Sequence, residues 1–279
     1  MADSTLTAGS TSGPVASPTT DKILTQRDGE IARIVFNQPE KRNAVSLEMW
    51  QAVEAALTEF RDDPEVRILV LSGAGGKAFV SGADISKFES ERASKEAVAT
   101  YNATTKRVYD MVEAFPKPTI AQIDGFCVGG GVALSLCCDM RICGKGSQFA
   151  VPAAKLGLGY AFPGLKRLVD VVGPSFAKEI FYTARRFDAE ECRTMGLVNR
   201  VVPDDQVAET VTETARMIAA NAPLTVESVK FIVGEVLKDA DKRDLAACDA
   251  KVADCFASRD YVEGRRAFME KRKPVFEGA

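Results

Sequence analysis

Histidine is absent from this 279-residue chain, and the absence narrows the chemistry that the protein can perform. Without imidazole there is no Ser-His-Asp triad, no Cys-His pair and no metal site with histidine ligands. Any proton transfer must therefore fall to carboxylates, tyrosine, lysine, cysteine or water.

Long apolar runs and an excess of basic charge are also lacking. No apolar run approaches the roughly 20 residues that a membrane helix needs. The formal net charge is −3, so no broad basic surface is available to neutralise nucleic-acid phosphates. We therefore expect neither a membrane nor a nucleic acid as a partner.

The seven cysteines do not form a pattern of disulfides or zinc ligands. They are odd in number, none forms a CxxC pair, and most lie in apolar contexts, which predicts buried thiols. They are Cys127, Cys137, Cys138, Cys143, Cys192, Cys248 and Cys255.

The first 20 residues are rich in Ser, Thr, Gly, Ala and Pro and contain no Lys or Arg. This composition predicts a disordered tail. The segment lacks the basic and apolar regions of a signal peptide and the arginines of a mitochondrial presequence, which favours a cytoplasmic location.

Alternating strand-like and helix-like patterns follow the tail. Strands are expected at 31–36, 68–72, 119–124, 140–143 and 148–150. Helices are expected at 47–61, with Ser46 as N-cap, at 93–115, and at 176–183 after a Gly-Pro break. From residue 203 the chain is predicted to be helical, at 206–220, 224–239, 245–257 and 261–270.

The stretch IDGFCVGGGVALSLCCD, at residues 123–139, carries the first chemical motif. A strand enters three consecutive glycines, and an apolar helix that Gly130 opens follows to about residue 138. Glycines at a helix start leave N–H groups uncovered, where an anion or a developing oxyanion can bind. The alternative is a tight turn in which close packing demands glycine.

A second glycine-rich turn follows the strand at 68–72 and leads into AFVSGADI at residues 78–85. Together, AFxxGADI and GxxxGGGxAL resemble the crotonase superfamily, the enoyl-CoA hydratase/isomerase fold. The resemblance runs from about Asp21 to the C-terminus.

This resemblance implies an α/β fold: a crotonase-like spiral of ββα-type units over residues 21–203, followed by a C-terminal helical segment over 204–279. It implies an enzyme of the lyase or isomerase type that acts on an acyl-CoA thioester and assembles as a homotrimer or a dimer of trimers. Coenzyme A belongs to the substrate, and no separate cofactor or metal is expected.

The resemblance also assigns site residues. The N–H groups of Ala83 and Gly130 correspond to the oxyanion hole, which polarises the thioester carbonyl and stabilises the enolate. Residues matching positions that bind or approach coenzyme A are Lys41, Arg42, Ala44, Ala83, Asp84, Ile85, Phe268 and Lys271. For the charged loop at Lys41 and Arg42, the alternative is a solvated surface.

The acid–base groups of the family are missing. Hydratases of the family use one glutamate two positions after GGG and another in a PE pair. Dienoyl isomerases add an aspartate. The matching residues are Ala133, Ala153 and Ala161, which cannot transfer a proton. Hydration is therefore expected to be slow, since a general acid or base contributes about 10²–10⁴-fold in rate.

Three functions remain open at this point. The first is an enolate-stabilising acyl-CoA enzyme. The second is a decarboxylase of malonyl- or methylmalonyl-type thioesters, because LGLGY at 156–160 resembles the LGxxY segment of methylmalonyl-CoA decarboxylase and offers Tyr160 to a substrate carboxylate. Tyr160 is equally compatible with a packing role. The third is a non-catalytic acyl-CoA binder.

Overall fold

A computed structural model describes residues 20–84, 87 and 94–279. The expected disordered tail lies outside these residues, apart from Thr20. The described chain is a mixed α/β structure with two β-sheets, in agreement with the predicted fold class.

Six strands form the larger sheet, in the order β1-β2-β3-β5-β7-β10. The first two strands are antiparallel and the remaining neighbours are parallel. The strands are β1 (Ile23–Asp28), β2 (Ile31–Phe36), β3 (Ile68–Gly73), β5 (Thr119–Ile123), β7 (Met140–Gly144) and β10 (Arg200–Val202).

Four short strands form the second sheet, in the order β4-β6-β8-β9. They are β4 (Ala78–Val80), β6 (Phe126–Val128), β8 (Gln148–Ala150) and β9 (Phe187–Asp188). From β3 to β8, consecutive strands thus alternate between the sheets, since β3, β5 and β7 are each followed by a strand of the smaller sheet. This alternation is the repeating unit expected of the spiral.

A glycine makes one of these changes of sheet possible. Gly125, between β5 and β6, has φ 66°, and a Cβ added there would lie 2.2 Å from the carbonyl oxygen of Lys77. Only glycine fits this turn without displacing the backbone.

The helices have nearly the predicted boundaries. Ser46 caps the first helix through the N–H of Met49, as expected, and the predicted break appears as a kink at Gly173. The helices are α1 (Leu47–Asp62), α2 (Lys95–Glu113), α3 (Gly130–Cys137), α4 (Phe162–Thr183), α5 (Ala189–Thr194), α6 (Val207–Ala219), α7 (Pro223–Val236), α8 (Leu245–Ala257) and α9 (Arg259–Glu270).

The hydrophobic core has two parts. The larger combines residues of α1, α2 and α3 with strand residues of both sheets, and it includes Trp50, Phe79 and Phe149. The smaller forms where Val207 and Val211 of α6 pack on the outer face of the larger sheet. A helix of the proposed C-terminal segment therefore covers the core sheet, and the division at residues 203 and 204 stays a prediction.

Across the described ranges, no helix combines the length and the apolar character needed to cross a membrane.

Candidate active site

The helix α3 begins at Gly130, as predicted. The N–H of Gly129 donates to the carbonyl of Ala150 at 2.8 Å, and the carbonyl of Gly129 accepts from Ala133 at 3.1 Å. In a trans peptide the N–H and the carbonyl point in opposite directions. The N–H of Gly130 therefore points away from the body of α3, out of its N-terminus.

The orientation of the Ala83 N–H is fixed by the same geometry. Val45 donates its N–H to Gly82 O at 2.8 Å and accepts from the N–H of Asp84 at 3.0 Å. Gly82 C=O and Ala83 N–H belong to one peptide group, so this N–H points away from Val45. Within the described residues, no hydrogen bond uses the N–H of Ala83 or of Gly130.

The two glycine-rich segments approach each other closely. A Cβ added to Gly82 would lie 3.8 Å from the Gly130 nitrogen, and one added to Gly130 would lie 3.6 Å from the Gly82 Cα. A Cβ at Gly131 would lie 2.0 Å from the carbonyl oxygen of Val80. Both interpretations of the glycines therefore apply, at adjacent residues. Gly131 is required for close packing, and Gly130 leaves its N–H uncovered.

Tyr109 is a polar neighbour of this region that the sequence did not indicate. Its hydroxyl donates to the carbonyl oxygen of Gly130 at 3.1 Å. Burial raises the pKa of Tyr109 well above its ordinary value, and the nearby Tyr160 phenol adds to this rise, so the hydroxyl stays protonated near neutral pH. The residue sits within the apolar pattern of α2, where a tyrosine is normally interpreted as core.

Tyr160 is half-buried on the approach to α4. Its ring packs edge-on against Phe181 with 4.7 Å between the centroids, and burial raises the pKa of its phenol. No hydrogen bond within the described residues uses its hydroxyl.

The three alanines at the family's carboxylate positions lie in different surroundings. Ala133 is half-buried in the first turn of α3, Ala153 is buried, and Ala161 is exposed as the N-cap of α4. None of the three offers a group that titrates.

Lys41 has a partner inside the chain. Its ammonium lies 2.9 Å from a carboxylate oxygen of Asp84, whose side chain is only 4% exposed. Gln38 also donates to Asp84, at 3.4 Å, and to the carbonyl of Ala44, at 3.0 Å. Lys41, Ala44 and Asp84 are thus brought together, and their coenzyme A contacts stay predictions.

Arg42 instead lines a cavity of about 310 Å³ beside the candidate site. Its guanidinium lies 4.8 Å from the ring centre of Phe126, and that of Arg186 lies 5.3 Å from the same ring. Lys155 adds a third cation, and no carboxylate of the described residues lines the cavity. The sequence indicated neither Lys155 nor Arg186, because they reach the cavity from distant segments.

The cavity is continuous with the two glycine turns. Its lining includes Ser81 and Val128, which directly precede Gly82 and Gly129. The cavity therefore adjoins the two segments that carry the outward-pointing N–H groups.

The remaining predicted contacts are not in this neighbourhood or are not described. Ile85 lies outside the described residues. Phe268 is 83% exposed near the end of α9, and Lys271, its C-cap, is also exposed.

Comparison with known proteins identifies the class. The family model described as enoyl-CoA hydratase/isomerase matches residues 26–279. A crotonyl-CoA hydratase from Syntrophomonas wolfei is 36% identical over 257 residues, which cover 92% of this chain and 98% of that protein. A carnitinyl-CoA dehydratase from Salmonella typhi is 34% identical and covers 90% of this chain and 97% of its own.

Solved structures agree with this result. An enoyl-CoA hydratase/carnithine racemase from Magnetospirillum magneticum matches with a TM-score of 0.87 and 38% identity, covering 94% of this chain and 97% of its own. An enoyl-CoA hydratase from Bacillus anthracis also has a TM-score of 0.87, at 31% identity, covering 93% of this chain and 100% of its own. The chain belongs to the enoyl-CoA hydratase/isomerase family, and hence to the crotonase superfamily of acyl-CoA-processing enzymes.

Proposed function

We propose that this protein stabilises the enolate of an acyl-CoA thioester with the N–H groups of Ala83 and Gly130. The proposal is carried by the close approach of the two glycine turns, from which both N–H groups point outward without a partner in the described chain. A carbonyl oxygen between them would accept two hydrogen bonds, which strengthen as negative charge develops on it. The N-terminus of α3 adds a favourable dipole.

The phosphates of coenzyme A are assigned to the cation-lined cavity. Arg42, Lys155 and Arg186 offer three positive charges there, and guanidinium groups suit phosphate oxygens geometrically. Of the two loop cations, Lys41 is already paired with Asp84, so Arg42 is the better candidate for a phosphate. In a homotrimer or a dimer of trimers, Phe268 and Lys271 would meet the coenzyme A of a neighbouring subunit.

Hydration of an enoyl-CoA is expected to be slow, because Ala133 and Ala153 cannot hold water or move protons. Crotonyl-CoA hydration should fall about 10²–10⁴-fold below that of a family member with both glutamates. The double variant Ala133→Glu/Ala153→Glu should gain hydration, measured by the loss of enoyl absorbance. Ala55→Glu, at an exposed position of α1 away from the site, is the control and should gain none.

Fast hydration by the unmodified protein would contradict this assignment, because another group would then supply the proton transfer. A panel of acyl-CoA thioesters followed by mass spectrometry extends the test. Binding of every thioester with turnover of none would instead identify a non-catalytic acyl-CoA binder.

Decarboxylation of a malonyl- or methylmalonyl-type thioester is the second candidate. Here the bond to the carboxylate carbon breaks, CO₂ leaves, and the electron pair becomes the enolate, which a proton later quenches. No basic carboxylate is needed for this reaction. The specific observation in its favour is Tyr160, whose protonated, half-buried hydroxyl has no partner in the described chain and lies near Tyr109.

Tyr160→Phe should lower turnover of such a thioester about tenfold or more, because the substrate carboxylate loses a hydrogen-bond donor. The affinity for coenzyme A should be unchanged. Tyr182→Phe, at a tyrosine that is 77% exposed, is the control. Equal CO₂ release by the Tyr160→Phe variant and the wild type would assign Tyr160 to packing alone.

A further inference from the structure

Two buried aromatic residues, Trp50 and Tyr101, and the half-buried Tyr109 connect the two halves of the candidate oxyanion hole. Trp50, 2% exposed on α1, donates its indole N–H to the Tyr101 hydroxyl at 3.2 Å. That hydroxyl donates in turn to the carbonyl of Val45 at 3.2 Å. The Trp50 ring also packs perpendicular to Tyr109, at 5.5 Å between centroids.

We infer that Tyr101 and Tyr109 are positioning residues, whose hydroxyls each hold one of the two backbone segments that present the oxyanion-hole N–H groups. The inference rests on the proposed function, because it names what keeps the proposed site in shape. Neither residue is assigned contact with the reacting atoms.

On the Ala83 side, the hydroxyl of Tyr101 acts through Val45. The N–H of Val45 sets the direction of the Gly82–Ala83 peptide, and its carbonyl accepts from both Asp84 and Tyr101. The second donor, from α2, ties Val45 to the core. The direction of the Ala83 N–H is thereby supported through Tyr101, a buried residue of α2.

On the Gly130 side, the hydroxyl of Tyr109 binds the carbonyl of Gly130 directly. The same oxygen would lie 3.3 Å from a Cβ added to Gly130, and Gly82 Cα lies 3.6 Å from that position. The phenol therefore contacts the meeting point of the two turns. This hydrogen bond fixes the Gly130–Gly131 peptide, which directly follows the peptide that carries the Gly130 N–H.

Trp50 contacts both tyrosines and so connects them to each other. It donates to the Tyr101 hydroxyl and packs against the ring of Tyr109, so a shift at one tyrosine is transmitted to the other. Preorganised donors of this kind contribute most when they do not rearrange during the reaction.

The test uses carbonyl polarisation, which needs no turnover. A chromophoric α,β-unsaturated thioester of coenzyme A, such as an aryl-acryloyl-CoA, is titrated into the full chain, and the red shift of its absorbance on binding is recorded. Tyr109→Phe should reduce the red shift while coenzyme A binds with unchanged affinity. On any thioester that turns over, kcat should fall about 10–100-fold with KM nearly constant, as for a small misplacement of catalytic groups.

Tyr109→Phe is the cleaner variant because it leaves no buried donor without an acceptor. Tyr101→Phe removes the acceptor of the Trp50 indole, so its thermal unfolding temperature is measured beside the shift, and the shift should again be reduced. Tyr182→Phe, an exposed hydroxyl, is the control and should behave as the wild type.

The outcomes distinguish a failure of the positioning role from a failure of the proposed function. A full red shift in both Tyr101→Phe and Tyr109→Phe overturns the positioning role and leaves the proposed function intact. A red shift reduced together with coenzyme A affinity also overturns it, because the effect would then be a general loss of structure. No red shift in the wild type overturns the enolate proposal itself, and this inference with it.

Discussion

At the scale of single residues, the neighbouring glycines Gly130 and Gly131 have different roles in the candidate site. Gly131 allows α3 to pack against Val80, where a Cβ would come within 2.0 Å of a carbonyl oxygen. Gly130 has more room, and its missing side chain leaves space beside its own N–H. Substitution of Gly131 is thus a packing defect, whereas substitution of Gly130 places a side chain against Tyr109 and Gly82.

The burial of the cysteines predicts which thiols react in the native protein. All seven are free, and Cys127, Cys137, Cys138, Cys143 and Cys192 are buried. Burial raises the pKa of Cys138 and of Cys143 to about 12, and raises the others of this group as well. Since the thiolate is the reactive form, these five should not react at pH 8.

At most two thiols, Cys248 and Cys255, should therefore react with a disulfide reagent in the native protein. All seven should react after denaturation in guanidinium chloride, as counted by absorbance. The variant Cys248→Ser/Cys255→Ser should lose the fast reaction. Fast labelling of a third thiol in the native state would contradict the burial of this group.

At the scale of elements, α3 is held at both ends. Its N-terminus is tied to β8 through Gly129, and its C-terminus is capped by Arg141 of β7. The Arg141 guanidinium, in a residue that is 5% exposed, donates to the carbonyls of Ser135, Cys138 and Leu197 at 3.0, 2.7 and 2.7 Å. A cation at a helix C-terminus also complements the helix dipole.

Replacing Arg141 with Met should therefore lower the free energy of unfolding by about 3 kcal/mol, because three buried carbonyls lose a charged donor. Urea denaturation followed by circular dichroism measures the change. Arg200→Met, at an exposed arginine of β10, is the control and should change stability by less than about 0.5 kcal/mol. Equal stability of the two variants would show that Arg141 does not support α3.

The sequence predicts some parts of the fold and of the candidate site but not others. The start of α3 at Gly130 follows from local glycine chemistry, and α1 follows from Ser46 and an apolar repeat. The cation-lined cavity does not, because Arg42, Lys155 and Arg186 meet only after the strands divide between two sheets. The direction of the Ala83 N–H is also unpredictable locally, since it depends on pairing with Val45.

At the scale of the whole molecule, the C-terminal helices expose an apolar surface. On α7, Val229, Val233 and Val236 are 56%, 53% and 61% exposed and recur at helical spacing on one face. Such a continuous stripe is typical of a protein–protein contact. The expected trimer, or dimer of trimers, would cover it.

The variant Val229→Lys/Val233→Lys should therefore lower the mass measured by light scattering from that of the assembly to that of one chain, because buried lysine charges oppose association. Ala55→Lys, at an exposed position of α1, is the control and should leave the mass unchanged. A wild-type protein that already elutes as a single chain would contradict the expected assembly.

The contact between Val45 and Gly82 has a consequence for how the site arises during folding. The N–H of Ala83 takes its direction from a strand-like segment 38 residues earlier in the chain, and the N–H of Gly130 is tied through Gly129 to Ala150, beyond its own helix. A partly folded chain could contain every helix of the native molecule and still lack the pair of aligned donors. Recovery of thioester binding during refolding would thus report the completed stacking of the turns, whereas recovery of helical signal would not.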